Sequence, residues 1–250
     1  GSADGVVTIS QDVRRHIELE RIPVEPSRLA VVPIGTDHLS GDEPARIPRE
    51  LLSRGFAAEE FVVTLGANFS HKNRDLAIRA HARLRERRPG LALVLAGSHV
   101  PYGSSRVSEA RVPVAEGVFD LPDTTSQERN WLLRHASVVL YPTSAEGFGL
   151  IPFEAARFGT PTVNVGFGAL REFGGEPPVA AVDWDPRSLA GAVETLLGDP
   201  ELARAQVAAA LAAAEKHTWA QTAADLAVLY RTVLARASVV AHHAVPGEGS

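Results

Sequence analysis

The sequence predicts a doubly wound, parallel α/β sheet of the Rossmann-like type, on three observations. From Phe61 onward, short and nearly continuous apolar runs alternate with stretches of helical periodicity. Gly, Pro or Ser closes most of the runs, and few show polar alternation, as expected of strands covered on both faces. Residues able to do chemistry gather just after those runs, at the strand ends where such sheets bind ligands.

The elements follow in order. Val6 to Ile9 is a short β-type run. Ser10 is placed to cap a helix from Gln11 to Arg21. Ala30 to Ile34 reads as a buried strand closed by Pro33 and Gly35, and residues 40–50 read as a linker rich in Gly, Pro and charge. Residues 61–66 (FVVTLG) form a strand. Asn73 to Arg88 form a helix, with Leu76, Ala80 and Leu84 on one face and Arg79, Arg83 and Arg87 on the other. Strands are expected at 91–97, 114–119, 137–142, 160–165 and 179–182. Helices are expected at 126–135, after Pro152, and at about 186–197, 200–216 and 219–236. The tail from Ala237 reads as unpacked and disordered.

Bulk properties narrow the function. A chain of 250 residues with 45% apolar content suits one large domain, or one domain with appendages. The net charge of −5 argues against a nucleic-acid partner. There is no cysteine, which removes disulfides, thiolate chemistry and zinc–thiolate sites and leans toward a cytoplasmic setting. A peripheral position at a membrane stays open, although no apolar run approaches the roughly 20 residues a span needs. The Gly-Ser start without methionine reads as a cloning scar ahead of a longer natural sequence.

Residues 143–165, TSAEGFGLIPFEAARFGTPTVNV, carry the densest signal. Glu146 and Glu154 stand eight positions apart, with Gly147, Phe148, Gly149, Leu150, Ile151 and Pro152 following the first of them. A glycine-bracketed turn running into a proline-started helix leaves N–H groups unpaired and aimed at one point. An anion such as a diphosphate fits there. Glu146 then sits on the loop and Glu154 about one turn into the helix. Carboxylates accept hydrogen bonds from hydroxyls, so a phosphate bracketed by two of them suggests a nucleotide-sugar pocket.

The order is an acidic residue, Gly-Phe-Gly, an apolar run, Glu-Ala, then Gly-Thr-Pro before a strand. It resembles the E-x7-E motif of the family-four retaining glycosyltransferases, which have the GT-B fold. The likeness extends along most of the chain. TISQDVRRHI and RLAVVPIGTD resemble the segment that ends the N-terminal lobe and crosses to the C-terminal, donor-binding one. The implied organisation is the end of the N-terminal lobe over 1–40, a linker over 41–60, the donor domain over 61–236 and a tail over 237–250. The acceptor-binding lobe lies outside the sequence, and Trp219 and Tyr230 stand on a last helix that in this fold returns toward it.

The resemblance also assigns roles. Glu154 would accept the ribose hydroxyls, and Glu146 would approach the transferred sugar. The amides of Phe148 and Gly149, between Gly147 and Leu150, would cradle the diphosphate. In the loop LGANFSHKN (65–73), which contains Asn68, Lys72 would neutralise the donor phosphates as the leaving group gains charge. The base would pair with backbone near Phe119–Pro122, that is at Leu121 and Pro122. Many relatives carry an arginine directly after the glycine at 66. Here Ala67 stands there, which weakens the charge clamp or assigns part of it to His71.

A plainer account exists for each residue. Lys72 could be a solvated lysine at a helix start, though the helix dipole disfavours a cation there. Glu154 could be a first-turn acid favoured by about 0.3–1 kcal/mol. Glu146 could merely open a turn. Glu172, beyond a second Gly-Phe-Gly at 166–168, is a weaker candidate for the sugar pocket. Asp183-Trp184-Asp185 has the D-x-D form of some metal sites, but Asp185 precedes Pro186 and suits a helix cap. His242-His243 could bind metal only adventitiously. No metal or cofactor is therefore expected.

The expected function is transfer of a hexose-type sugar from a UDP- or GDP-linked donor to a hydroxyl acceptor. By resemblance it proceeds with retention and without metal, and Lys72 and Glu146 act at the reacting centre. Two other readings are a silent nucleotide-sugar-binding module and a GT-B relative such as a nucleotide-sugar epimerase.

Overall fold

The computed structural model describes residues 3–38, 42, 44–56, 60–104 and 116–243. Strands β1 (Val6–Thr8) and β2 (Leu29–Val31) pair in parallel. Strands β3 (Phe61–Leu65), β4 (Ala92–Ala96), β5 (Val118–Leu121), β6 (Val138–Tyr141) and β7 (Thr162–Asn164) form a parallel sheet in the order β5-β4-β3-β6-β7. The chain starts this sheet in the middle, builds to one edge, then returns to build the other. The reversal lies between β3 and β6, and it opens a crevice at their C-terminal ends.

The helices are α1 (Gln11–Leu19), α2 (Arg49–Ser53), α3 (Arg74–Arg85), α4 (Ser126–His135), α5 (Ile151–Arg157), α6 (Gly168–Gly174), α7 (Pro186–Gly198), α8 (Pro200–Ala214) and α9 (Trp219–His243). The strand side chains alternate between two cores, as a period of two requires. Val62, Leu93, Leu95, Val138 and Leu140 meet Ala77, Ala80 and Leu84 of α3 and Leu189 and Val193 of α7. Phe61, Val63, Leu65, Val94 and Val139 meet Leu132 and Leu133 of α4 and Ala155 of α5. A third cluster joins Phe148, Phe153, Phe173 and Ala213 to Ile9 and Ile34.

The caps follow the sequence. Ser10 accepts from the Val13 amide, Asp185 from those of Arg187 and Ser188, and Asp199 from that of Leu202. Thr125 and Glu128 form a capping box that starts α4 where expected.

Several expectations are corrected. β2 ends at Val31 and not at Ile34. The strand expected at 114–119 runs over Val118–Leu121, and residues 114 and 115 lie outside the described ones. Residues 179–182 are not a strand: Gln206 binds both the N–H and the C=O of Val179, and the Ala181 amide donates to Asn164. The seven-residue α6 was not expected. α9 is helical through His243, into the stretch read as a tail, and residues 244–250 lie outside the described ones. Within the stretch read as a linker, α2 places Leu51 in the second core with no exposed surface. Leu51→Ala should therefore lower stability by about 2–5 kcal/mol in denaturant titration, against near neutrality for a free linker. Among the described residues no helix is long and apolar enough to cross a membrane.

His81 of α3 is fully buried, with Nε2 2.9 Å from the Leu91 carbonyl oxygen. Burial holds its ionisation below the ordinary value, against the pull of that carbonyl. The unfolded chain takes up this proton near pH 6.5, the folded chain only at lower pH. The stability it supplies is thus complete above about pH 6.5 and falls on acidification by up to ~1.4 kcal/mol per unit. Thermal melts between about pH 7 and 5 should show this decline, flatter in His81→Gln.

Candidate functional site

Two loops flank the crevice, one after β3 and one after β6. The first contains a 3₁₀ turn, Ser70–Lys72, ended by Asn73 in the left-handed conformation at φ 50. Its unusual backbone is held by a contact to the second loop, in which Asn73 Nδ2 donates to the Pro142 carbonyl at 2.9 Å. A second stitch runs from the Ser144 amide to the His71 carbonyl at 2.8 Å. These bonds carry Lys72 across to Glu146.

Lys72 Nζ lies 2.5 Å from Glu146 Oε1 and 3.0 Å from the Tyr141 hydroxyl, which itself lies 2.5 Å from the same carboxylate oxygen. Such distances are those of charge-assisted hydrogen bonds. The Lys72 and Glu146 side chains are 14% and 11% exposed, so both are partly desolvated yet reachable. Burial, then the charge of Glu146 and more weakly that of Glu154, pushes the Tyr141 hydroxyl far above its ordinary range. It stays protonated and donates to Glu146. His71, beside Lys72, has its ionisation lowered, first by burial and then by that cation. It stacks on Phe69, and with Asp12, His16, Glu146 and Gly168 it lines a cleft between α1 and the β6 loop.

The motif backbone is tightly framed. Gly149 has φ +86, and a Cβ there would lie 2.3 Å from Leu170 Cδ2. A Cβ on Gly147 would lie 3.0 Å from Ile9 Cδ1. Phe148 is buried and stacks on Phe173 with centroids 4.0 Å apart, so only its backbone can serve a ligand. Leu150 leads into α5, which begins with Pro near its start and has no side-chain cap. Glu154, in the first turn, is ion-paired with Arg129 of α4. Tyr141 bonds Glu146 and Lys72 directly, and the charges of Glu154 and Arg129 also reach its hydroxyl, so Glu154 lies in the neighbourhood of the Lys72–Glu146 pair.

Other expected residues are placed differently. Asn68 is fully buried, and its Oδ1 accepts from the Val100 amide at 2.8 Å, so its side chain braces two loops and does not face a ligand. Leu121 is the buried last residue of β5, and its carbonyl accepts from the Gly97 amide. Pro122 has no N–H, so its carbonyl is what this pair still offers to a base. Glu172 caps α1 by accepting from the amides of Gln11 and Asp12, which removes it from the sugar pocket. Trp184 donates to the Thr143 carbonyl and packs on Phe167, and among the described residues no group of three His, Cys, Asp or Glu could hold a metal ion. The His242 and His243 side chains lie outside the described ones.

Three residues were not foreseen. Tyr141 and Arg129 hold the two glutamates. Arg74, fully buried, donates to the carbonyls of Gly66 and Gly97 and to Asp120, binding together the loop ends of β3, β4 and β5. Its guanidinium therefore sits against the glycine that precedes Ala67. No recurring spacing marks any of the three, and each also bonds a partner at least 25 positions away.

Comparison with known proteins places this geometry. Residues 53–212 match the family described as glycosyl transferases group 1. D-inositol 3-phosphate glycosyltransferases of Segniliparus rotundus and Acidothermus cellulolyticus are 29% and 32% identical to the chain over 98% and 94% of its length. The chain spans 56% and 54% of those relatives, about half. In fold it is similar to Anabaena Alr3699/HepE in complex with UDP and glucose (TM-score 0.71, 18% identity), over 92% of this chain and 63% of that one. It is similar too to sucrose-phosphate synthase of Thermosynechococcus elongatus (TM-score 0.71, 21% identity), over 94% and 59%. The parallel sheet with its reversal between β3 and β6 is thus that of GT-B glycosyltransferases, and the chain belongs to the glycosyl transferases group 1 family.

Proposed function

We propose that this chain is the donor-binding part of a glycosyltransferase that moves a hexose-type sugar from a nucleoside diphosphate to a hydroxyl acceptor. The observation that carries the proposal is the meeting of Lys72 and Glu146 at the topological switch of the sheet. A leaving diphosphate gains negative charge as the glycosidic bond breaks, and a cation beside it favours that state without a metal. Glu146 and the Phe148–Gly149 backbone would hold sugar and phosphates, and Glu154 the ribose. Retention of configuration follows the resemblance of the motif. UDP-linked donors come first, because Alr3699/HepE was solved with UDP-glucose, with GDP-linked ones next. Residues 1–40 would end the acceptor-side lobe, and residues 61–236 would form the donor domain. The other lobe would supply the acceptor site and, on closing, exclude water. The 250-residue chain should then bind donor but turn it over slowly or not at all.

Calorimetry with UDP, GDP and their hexose conjugates tests this reading. Saturable binding of at least one pair is expected. Glu154→Gln should weaken nucleotide and nucleotide sugar alike, about ten-fold, since the ribose is common to both. No binding of any conjugate would remove the proposal.

A further inference from the structure

The Lys72–Glu146 pair poses a problem that the third member of the cluster answers. Lys72 has one ammonium group, and in the free chain it is held by Glu146 and Tyr141. A diphosphate entering the crevice brings about two negative charges and draws that ammonium away. Glu146, 11% exposed, would then face the incoming phosphates with its cation withdrawn. A half-buried carboxylate without a partner is costly and free to swing. Tyr141 is so placed that this does not happen. Its hydroxyl hydrogen goes to Glu146 Oε1 at 2.5 Å, and its oxygen accepts from Lys72 at 3.0 Å. The first bond survives when the second breaks. The ring is fixed at the end of β6 in the second core and is 2% exposed, so the hydroxyl cannot reach a donor itself.

We propose that Tyr141 is a positioning residue of the donor site, keeping Glu146 aimed at the transferred sugar once Lys72 turns to the diphosphate. This rests on the donor-binding reading above. Tyr141 therefore acts on the sugar through Glu146, and it leaves the diphosphate to Lys72. Removing the hydroxyl should damage recognition of the sugar and spare recognition of the nucleoside diphosphate.

The test compares UDP-glucose with UDP, and GDP-glucose with GDP, in the 250-residue chain and its Tyr141→Phe variant. Phenylalanine keeps the packed ring, so a general loss of fold would lower both affinities together. The expected result is an affinity for the nucleotide sugar about ten-fold lower, with that for the matching diphosphate changed less than about two-fold. In a Glu146→Gln background the same substitution should shift the ratio no further, because the partner through which it acts is altered. An unchanged ratio in Tyr141→Phe, with the parent chain binding both ligands, overturns the role of Tyr141 and leaves the donor site standing. Failure of the parent chain to bind either nucleotide sugar overturns both.

A ligand-free readout is available as well. The chain has three tyrosines, so tyrosine labelled at Cζ alone gives three carbon resonances, and the one missing from Tyr141→Phe is Tyr141. Lys72→Met should shift that resonance alone, since the ammonium no longer donates to the hydroxyl. Saturating UDP should shift it in the same direction in the parent chain. A resonance unmoved by both changes would show that the hydroxyl and the ammonium are not joined, and the proposal would fail.

Discussion

Lys72→Ala is expected to lower the affinity for a nucleoside diphosphate by roughly ten- to hundred-fold, the largest binding effect of any single change at this site. Two losses add. The ammonium that would meet the phosphates disappears. Glu146, which it neutralises at 2.5 Å, stays behind as a net negative charge facing the same anion. Coulomb repulsion is stronger here than on an open surface, because both side chains of the pair are largely screened from water. Restoring neutrality should recover part of the loss, so Lys72→Ala with Glu146→Gln should bind better than Lys72→Ala alone. Calorimetry with UDP and GDP reads both effects. A single variant that binds like the parent would falsify the placement of the diphosphate at Lys72.

Gly97→Ala is expected to cost about 3–5 kcal/mol of stability, the largest folding effect, and to lower the melting temperature by roughly 6–20 °C. Gly97 follows β4 with φ +141, where side chains are strained. A Cβ there would lie 2.2 Å from the Gly66 carbonyl oxygen and 2.9 Å from the Ala67 amide nitrogen, both rigid backbone. The neighbours cannot retreat, because Arg74 ties the carbonyls of Gly66 and Gly97 together, each at 3.0 Å. Gly159→Ala is the matched control. It also has a positive φ, of +80, but nothing lies within 4 Å of its Cβ position, so only about 1 kcal/mol of backbone strain is expected. Similar melting temperatures for the two variants would show that the close approach of the loops is not what the glycine serves.

The fold was legible where local and tertiary demands agreed. Thr125 and Glu128 begin α4 by a reciprocal cap that the sequence displays, and its bounds are as expected. The error at β5 has a physical source. Asp120 interrupts the apolar run, and on this edge strand Arg74 and His99 bind its two oxygens. α6 escaped notice because it is seven residues long with glycine at both ends. Tertiary contacts hold it, with Leu170 and Phe173 buried, and intrinsic propensity contributes little. The apolar run at 179–182 mimicked a strand, but Gln206 and Asn164 take up its backbone groups.

Lys72, Glu146 and Glu154 stand out in the sequence because a recurring local pattern marks them, and the structure pairs the first two. Tyr141, Arg129 and Arg74 do not. Tyr141 joins Glu146, five positions on, to Lys72, 69 positions back, while Arg129 and Arg74 reach Glu154 and Asp120 across 25 and 46 positions, and no recurring spacing announces these pairs. Asn68 shows the complementary case: its loop follows β3, but its side chain turns inward to the Val100 amide.

The capping of α1 by Glu172 has a practical corollary. Residues 9–37 do not dangle from the five-stranded sheet domain; they buttress it. Ile9 sits against Gly147, and Ile34 packs against the cluster that includes Phe148 and Phe173. The Thr36 amide donates to the His217 carbonyl, and Asp37 receives the Trp219 amide. A minimal fragment cut at residue 41 would strip the rear wall from the glycine–phenylalanine–glycine turn. It would uncover apolar surface of the cluster that Ile9 and Ile34 pack against. The start of α1 is therefore tied to α6 and to the glycine–phenylalanine–glycine turn as one packed unit.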